Sequence, residues 1–132
     1  MWYESCLNPQ ALRALYASGE GLDRVRLFTV VLRPDGRSVQ LRVELPRFPD
    51  HPPERWDAEA SRVQVTLDLW SVADLKIEGW TPESAGLLTL SPDGDALRLS
   101  FASEEVRITA RCGAARIAGF SPYSVWESEP AA

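Results

Sequence analysis

Between Leu45 and Trp56 the chain reads Leu-Pro-Arg-Phe-Pro-Asp-His-Pro-Pro-Glu-Arg-Trp, which places four of its ten prolines and its only histidine within twelve residues. Proline fixes φ near about −65°, offers no backbone N–H and pushes the residue before it into extended geometry. Neither a strand nor a helix can run through such a segment. It predicts a stiff, extended bridge between an opening unit and a longer following one. Phe48 and Trp56 are expected to anchor the bridge to the body, with Asp50, His51, Glu54, Arg55 and Asp57 held outward. A row fixed in that way suits a recognition surface, and it equally suits a plug over a sheet face.

The flanks on both sides carry the two-residue period of strands. Upstream, Arg24 to Arg33 is rich in β-branched and aromatic residues, and Pro34-Asp35-Gly36-Arg37 is a turn leading into Ser38 to Leu45, where Val39, Leu41, Val43 and Leu45 share one face. In the first of these strands Phe28, Val30 and Leu32 oppose Leu27 and Val31, so cover on both faces is expected, from an N-terminal helix. That helix is read from Asn8 as N-cap, Pro9 at the first helical position and the stripe Leu12, Leu15 and Tyr16, with Gly19 or Gly21 beyond its end. About two turns of helix are not stable alone in water, so the stripe must dock on something larger.

Downstream, Val63, Val65, Leu67 and Leu69 alternate with Gln64, Thr66, Asp68 and Trp70, a bend falls at Trp70-Ser71, and Ala73, Leu75 and Ile77 continue in a further strand. Gly79-Trp80-Thr81-Pro82 breaks the pattern. Leu87 to Leu90 then meets Ala96 to Phe101 across Ser91-Pro92-Asp93-Gly94-Asp95, a hairpin of the same chemistry as the first. Val106, Ile108, Ala110 and Cys112 form one face of another strand, and Arg116 to Phe120 a last one. The expected fold is α+β, mainly β: an antiparallel, meander-like sheet or flattened sandwich of seven to eight strands with one short N-terminal helix. The two Pro-Asp-Gly turns hint at duplication, although the residues around them do not repeat.

At 132 residues the chain fits one domain with one core, expected over residues 1–126, with the polar Glu127 to Ala132 as a disordered tail. A net charge of −5 disfavours nucleic acid and anionic membrane as partners and suits a basic one. Cys6 and Cys112 stand far apart, match no metal spacing and follow no secretory pattern, which favours a reduced, cytoplasmic setting. No apolar run approaches the length of about 18 residues that a membrane-spanning helix requires.

Reactive constellations are sparse. Nucleophilic catalysis needs an imidazole beside Ser or Cys and oriented by a carboxylate, and His51, between Asp50 and Pro52 in the rigid bridge, has no assignable partners. A loop-packing or exposed histidine is the simpler reading. One histidine and two distant cysteines do not reach three metal ligands. Gly19-Glu20-Gly21 precedes a strand, where phosphate loops precede a helix. Acidic pairs such as Asp93 with Asp95 and Glu104 with Glu105 fall in turns and read as solvated. No enzyme activity, cofactor or metal is expected. The tryptophans say more: Trp56 and Trp80 are expected to close the core, while Trp70 lies on the polar face of its strand and is either covered or kept for a partner.

Taken in order, Glu44-Leu45-Pro46, Phe48-Pro49-Asp50, Pro52-Pro53, Trp56, Val63-Gln64-Val65-Thr66-Leu67 and Leu75-Lys76-Ile77-Glu78-Gly79-Trp80 resemble the immunity protein 50 family of bacterial polymorphic-toxin systems. The likeness extends from the Asn8-Pro9 helix to Ile117–Tyr123 and rests on structural residues. It implies a cytoplasmic protein that binds a cognate toxin and blocks it, and it supplies no catalytic motif. Arg47 and His51 within the bridge depart from the pattern, in the loops expected to set partner choice. An interface of this kind needs a rigid surface of complementary charge, and the expected contributors are Asp50, Glu54, Asp57 and Glu59 with Trp70 as an anchor. The competing reading is a small ligand-binding β domain in which Trp56, Trp70 and Trp80 line a groove for a sugar or another flat ligand.

Overall fold

The computed structural model describes residues 1–124, and the tail expected over residues 127–132 lies outside them. Eight antiparallel strands follow the chain: β1 (Arg24–Arg33), β2 (Ser38–Glu44), β3 (Arg62–Trp70), β4 (Ala73–Glu78), β5 (Ser84–Asp93), β6 (Ala96–Ala102), β7 (Arg107–Cys112) and β8 (Ala114–Tyr123). Ahead of them stand a 3-10 turn, Trp2–Ser5, and a single helical turn, α1 (Gln10–Arg13). The mainly β expectation holds. The helix is shorter than the stripe suggested, because Pro9 is its N-cap and the Asn8 side chain reaches a strand instead of capping it. No helix of the described residues is long and apolar enough to cross a membrane.

The strands lie in one sheet in the order β4-β7-β6-β5-β1-β2-β3-β8. Exchanging β1–β4 with β5–β8 and reading the order backwards leaves it unchanged, so the topology is a four-strand unit used twice about the β1–β5 pair. Each unit opens with a hairpin bearing Pro-Asp-Gly, at Pro34 to Gly36 and at Pro92 to Gly94. Each ends in a strand that leaves its own neighbours and pairs in the other unit: β4 on β7 and β8 on β3.

The exchange forces the sheet to curl. Six strand spacings of about 4.8 Å would hold β3 about 29 Å from β4 in a flat sheet. Ser71 and Val72, the only residues between them, reach about 10 Å. Gly113 alone joins β7 to β8, and it passes Ser71 where a Cβ would stand 3.2 Å from the serine Cβ. β3–β4 and β7–β8 are therefore two long strands bent at one corner, and the sheet closes into a flattened barrel.

Alternation fills its interior. Val63, Val65, Leu67 and Leu69 of β3 face inward with Val39, Leu41 and Val43 of β2, Leu99 and Phe101 of β6, and Ile108, Ala110 and Cys112 of β7. β1 keeps this rule through an interruption: its register shifts between Leu27 and Thr29, so Phe28 is an inserted residue. Val25 and Leu27 precede the bulge on the inner face. Val30 and Leu32 follow it there, opposite Leu41 and Val39. The apparent double-faced pattern of β1 is this bulge, and α1 does not cover its outer face.

Between β2 and β3 the proline bridge closes the lower end of the barrel. Leu45 and Pro49 are buried, and Phe48, Trp56 and Phe120 form a run of rings with centroids 5.9 and 6.4 Å apart. The bridge is also stitched to the N-terminal segment: His51 N–H donates to Leu15 O at 3.0 Å, and Tyr16 O–H donates to Arg47 O at 2.7 Å.

Candidate functional site

The residues expected at an interface fall into two places. Glu54, Asp57 and Glu59 are exposed on the bridge, with Asp57 accepting the Glu59 N–H at 2.9 Å in a local turn. Trp70 stands at the far end of β3, and a nine-residue strand spans about 26 Å. Trp70 is 37% exposed on the outer face. Asp50 is already committed inside the molecule, since it accepts the Ala17 N–H at 2.9 Å and pairs with Arg47 at 3.5 Å. Arg47 in turn lies over the Tyr16 ring at 4.9 Å and donates to the Ser18 and Glu20 carbonyls. Three of the five expected residues thus share one loop with free carboxylates, one has a structural post, and Trp70 is remote from them.

The three candidate groove tryptophans do not converge either. Trp56 is half-buried against Phe48 and Phe120. Trp80, expected in the core, is 85% exposed. The reason is the turn before it: Gly79 has φ +86°, and a side chain there would collide with the Glu105 carbonyl. The chain is thrown outward at Trp80, and Thr81 and Pro82 after it are exposed.

Curling leaves two gaps in the barrel wall, related by the twofold topology. In one, β5 beyond Leu87 has no strand on its outer side, and β8 has a free edge away from β3. The N-terminal segment fills it. Leu7 N–H donates to Ala115 O at 2.8 Å, the Asn8 amide both donates to Ile117 O and accepts from Ile117 N–H at 2.9 Å, and Ser5 Oγ donates to Leu90 O at 3.0 Å. Trp2, Tyr3 and Cys6 are buried beneath, with the Trp2 indole donating to Leu22 O at 3.0 Å.

In the other gap, β1 beyond Leu27 pairs only with β2, and β4 pairs only with β7. Among the described residues no segment lies between them. A cavity of about 420 Å³ opens there, lined by Phe28, Val30, Ile77, Trp80, Val106 and Ile108 among others. A second hollow of about 350 Å³ continues along the same seam past Leu32, Val72 and Leu75. The inner-face positions report the difference directly: Leu88 and Leu90 beside the filled gap are 1% and 4% exposed, whereas Leu32 beside the open one is 48% exposed and Val30, Leu75 and Ile77 are half-buried. An apolar seam ending in an exposed tryptophan is the kind of surface that marks an interaction site. Sequence reasoning passed over it. Its one signal was the adjacent apolar pair Leu27-Phe28, where the alternation slips.

A further cleft of about 400 Å³ lies at the lower end of β1 and β2, with Arg24, Arg26, Arg47 and Arg62 around Glu44. Glu44 is buried and sits 3.9 Å from Arg26 and 3.6 Å from Arg62, and its Oε1 has no hydrogen-bond partner among the described residues. Glu44 offsets one of these charges and Arg47 is engaged elsewhere, so this cleft reads first as an ion-pair knot closing the sheet end. The thiols are equally internal. Burial, then the nearby Cys112 sulfur, pushes the Cys6 thiol up to about 12, and burial raises Cys112 as well. Both are protonated at neutral pH and poor nucleophiles. Among the described residues, no three His, Cys, Asp or Glu side chains gather as a metal site would require.

Comparison with curated proteins and with solved structures gives no match. The family model for immunity protein 50 matches residues 8–123. That span runs from the asparagine clamped on β8 to the last residue of β8, and it includes the bridge, both Pro-Asp-Gly hairpins and both gaps. The chain belongs to the immunity protein 50 family.

Proposed function

We propose that this chain binds a cognate bacterial polymorphic toxin in the cytoplasm and neutralises it by protein–protein contact, without catalysis. Membership of an immunity-protein family supplies the kind of partner. The observation that carries the surface is the open seam between β1 and β4, where an apolar cavity and the 85% exposed Trp80 lie together. Buried aromatic anchors dominate protein–protein affinity, and a tryptophan has only two side-chain torsions to fix on docking.

The acidic bridge has a different part in this reading. Glu54, Asp57 and Glu59 are exposed, and the chain carries a net charge of −5, which favours encounter with a basic toxin surface. Asp50 holds the bridge to the N-terminal segment, so it supports this surface from behind. Trp70 would contribute only to a toxin large enough to reach the far end of β3. The test is co-expression with the toxin domain encoded beside this chain's gene. Growth of cells carrying both, and death of cells carrying the toxin alone, is the expected result; equal death in both would overturn the reading.

A further inference from the structure

Resting on the reading of a protein toxin as partner, we propose that the toxin enters the seam as an extended segment that adds a strand between β1 and β4. Three observations converge on that occupant. First, the seam is bounded on both sides by strand edges: among the described residues β1 from Phe28 to Leu32 pairs only with β2, and β4 only with β7. Free edges present backbone N–H and C=O groups in a row, which an extended chain satisfies and a helix does not.

Second, the molecule fills its equivalent gap with a segment of its own chain. Leu7 N–H bonds to Ala115 O on the edge of β8, while Ser5 and Asn8 reach Leu90 and Ile117 through their side chains. Because the strand order is twofold, the β1–β4 seam is the same architectural position with its filler missing among the described residues.

Third, the side chains along the seam specify the pattern of the entrant. Val30 and Leu32 on one side and Leu75 and Ile77 on the other are partly or largely exposed although they lie on the apolar face. Phe28 to Leu32 spans about 13 Å, room for a four- to five-residue strand placing two or three alternate apolar side chains inward. Trp80 closes one end against them. Both signs of charge stand around the seam, Arg33 and Lys76 with Asp74 and Glu78, so apolar spacing and backbone pairing set the selectivity there.

Backbone hydrogen exchange on the full chain, alone and bound to the toxin domain encoded beside its gene, tests this directly. The seam-facing amides within residues 28–32 and 74–78, those not already bonded to β2 or β7, are expected to slow at least tenfold on binding. The same amides unchanged in a complex that still neutralises would overturn strand addition and leave the toxin reading standing; no neutralisation would remove that reading itself. Seam-facing amides already slow in the isolated chain would also overturn the proposal. Acceleration on truncation after Ser124 would then assign the seam to the chain's own C-terminal residues, and dependence on protein concentration would assign it to a second copy. A paired substitution supplies the second readout. Leu32→Asp, which adds charge inside the seam, should weaken neutralisation at least tenfold, whereas Thr89→Asp on the exposed face of β5, away from the seam, should not; equal activity of the two would count against the proposal.

Discussion

The two gaps in the barrel wall have the same architecture and opposite contents. Beside the first, Leu88 and Leu90 are sealed by a segment that carries Trp2, Tyr3 and Cys6 into the core and an asparagine that clamps β8. Beside the second, Leu32 faces solvent and Trp80 stands free. The contrast separates a tryptophan that holds the fold from one available to a partner, which composition and periodicity cannot do.

The first way to break that comparison is to empty the filled gap. Trp2→Ala removes a fully buried ring and its indole hydrogen bond, and should cost about 3–5 kcal/mol of unfolding free energy in chemical denaturation. Trp80→Ala should change the same quantity by no more than about 0.5 kcal/mol, as for a surface substitution. Comparable losses from the two would mean that Trp80 is structural.

A smaller effect is expected at the clamp. Asn8→Ala leaves the N–H and C=O of Ile117 without their partner, at a cost of about 1–3 kcal/mol, and hydrogen exchange at Ile117 should accelerate with it. Unaltered exchange there would show that the N-terminal segment is held by its aromatics alone.

Alkali should loosen the filled gap before the open one. Tyr3, Cys6 and Tyr16 in the N-terminal segment, and Cys112 beneath it, all have raised pKa values, chiefly because burial disfavours their ionised forms. Such groups hold their protons longer in the folded chain than in the unfolded one. Their contribution to stability is complete below the ordinary thiol value of 9.0 and is lost as pH rises toward about 12, the folded value for Cys6. Denaturation midpoints should fall across this window, and a flat profile would contradict the burial of these groups. The smallest effect belongs to the bridge: reversing Glu54, Asp57 and Glu59 to lysine should leave stability within about 0.5 kcal/mol. It should slow toxin association with less change in dissociation, measurable by surface plasmon resonance at two salt concentrations. Asp50 is a poor member of that set, because its reversal also removes the contacts to Ala17 and Arg47.

Much of the barrel was legible in the sequence because a sheet with one buried face writes its period into the chain. Val63 to Leu69 and Val106 to Cys112 face inward as alternation required, and the first Pro-Asp-Gly turn stands where its chemistry placed it, whereas the second tightens to Gly94-Asp95 with Ser91, Pro92 and Asp93 drawn into β5. The bulge was hidden, since Leu27 and Phe28 read equally as a strand covered on two sides. The bend at Trp70-Ser71 was legible, but the exchange of β4 and β8 between units also depends on the corner at Gly113 and on long-range pairing, which local pattern does not reveal. The hint of duplication in the turns was sound topologically. Among the described residues, one unit's seam meets an internal segment and the other's does not. The seam was missed for a related reason: a half-buried apolar face has the same spelling as a buried one, and only the curl of the sheet determines which side is covered.

The most direct measurement is the dissociation constant of the complex between the toxin domain encoded beside this gene and the Trp80→Ala chain, beside that of the unaltered chain. If the open seam is the contact, the substitution should weaken binding by about 30-fold or more, the loss typical of an aromatic anchor, with the fold intact. An unchanged constant would contradict it and place the interface elsewhere on the barrel.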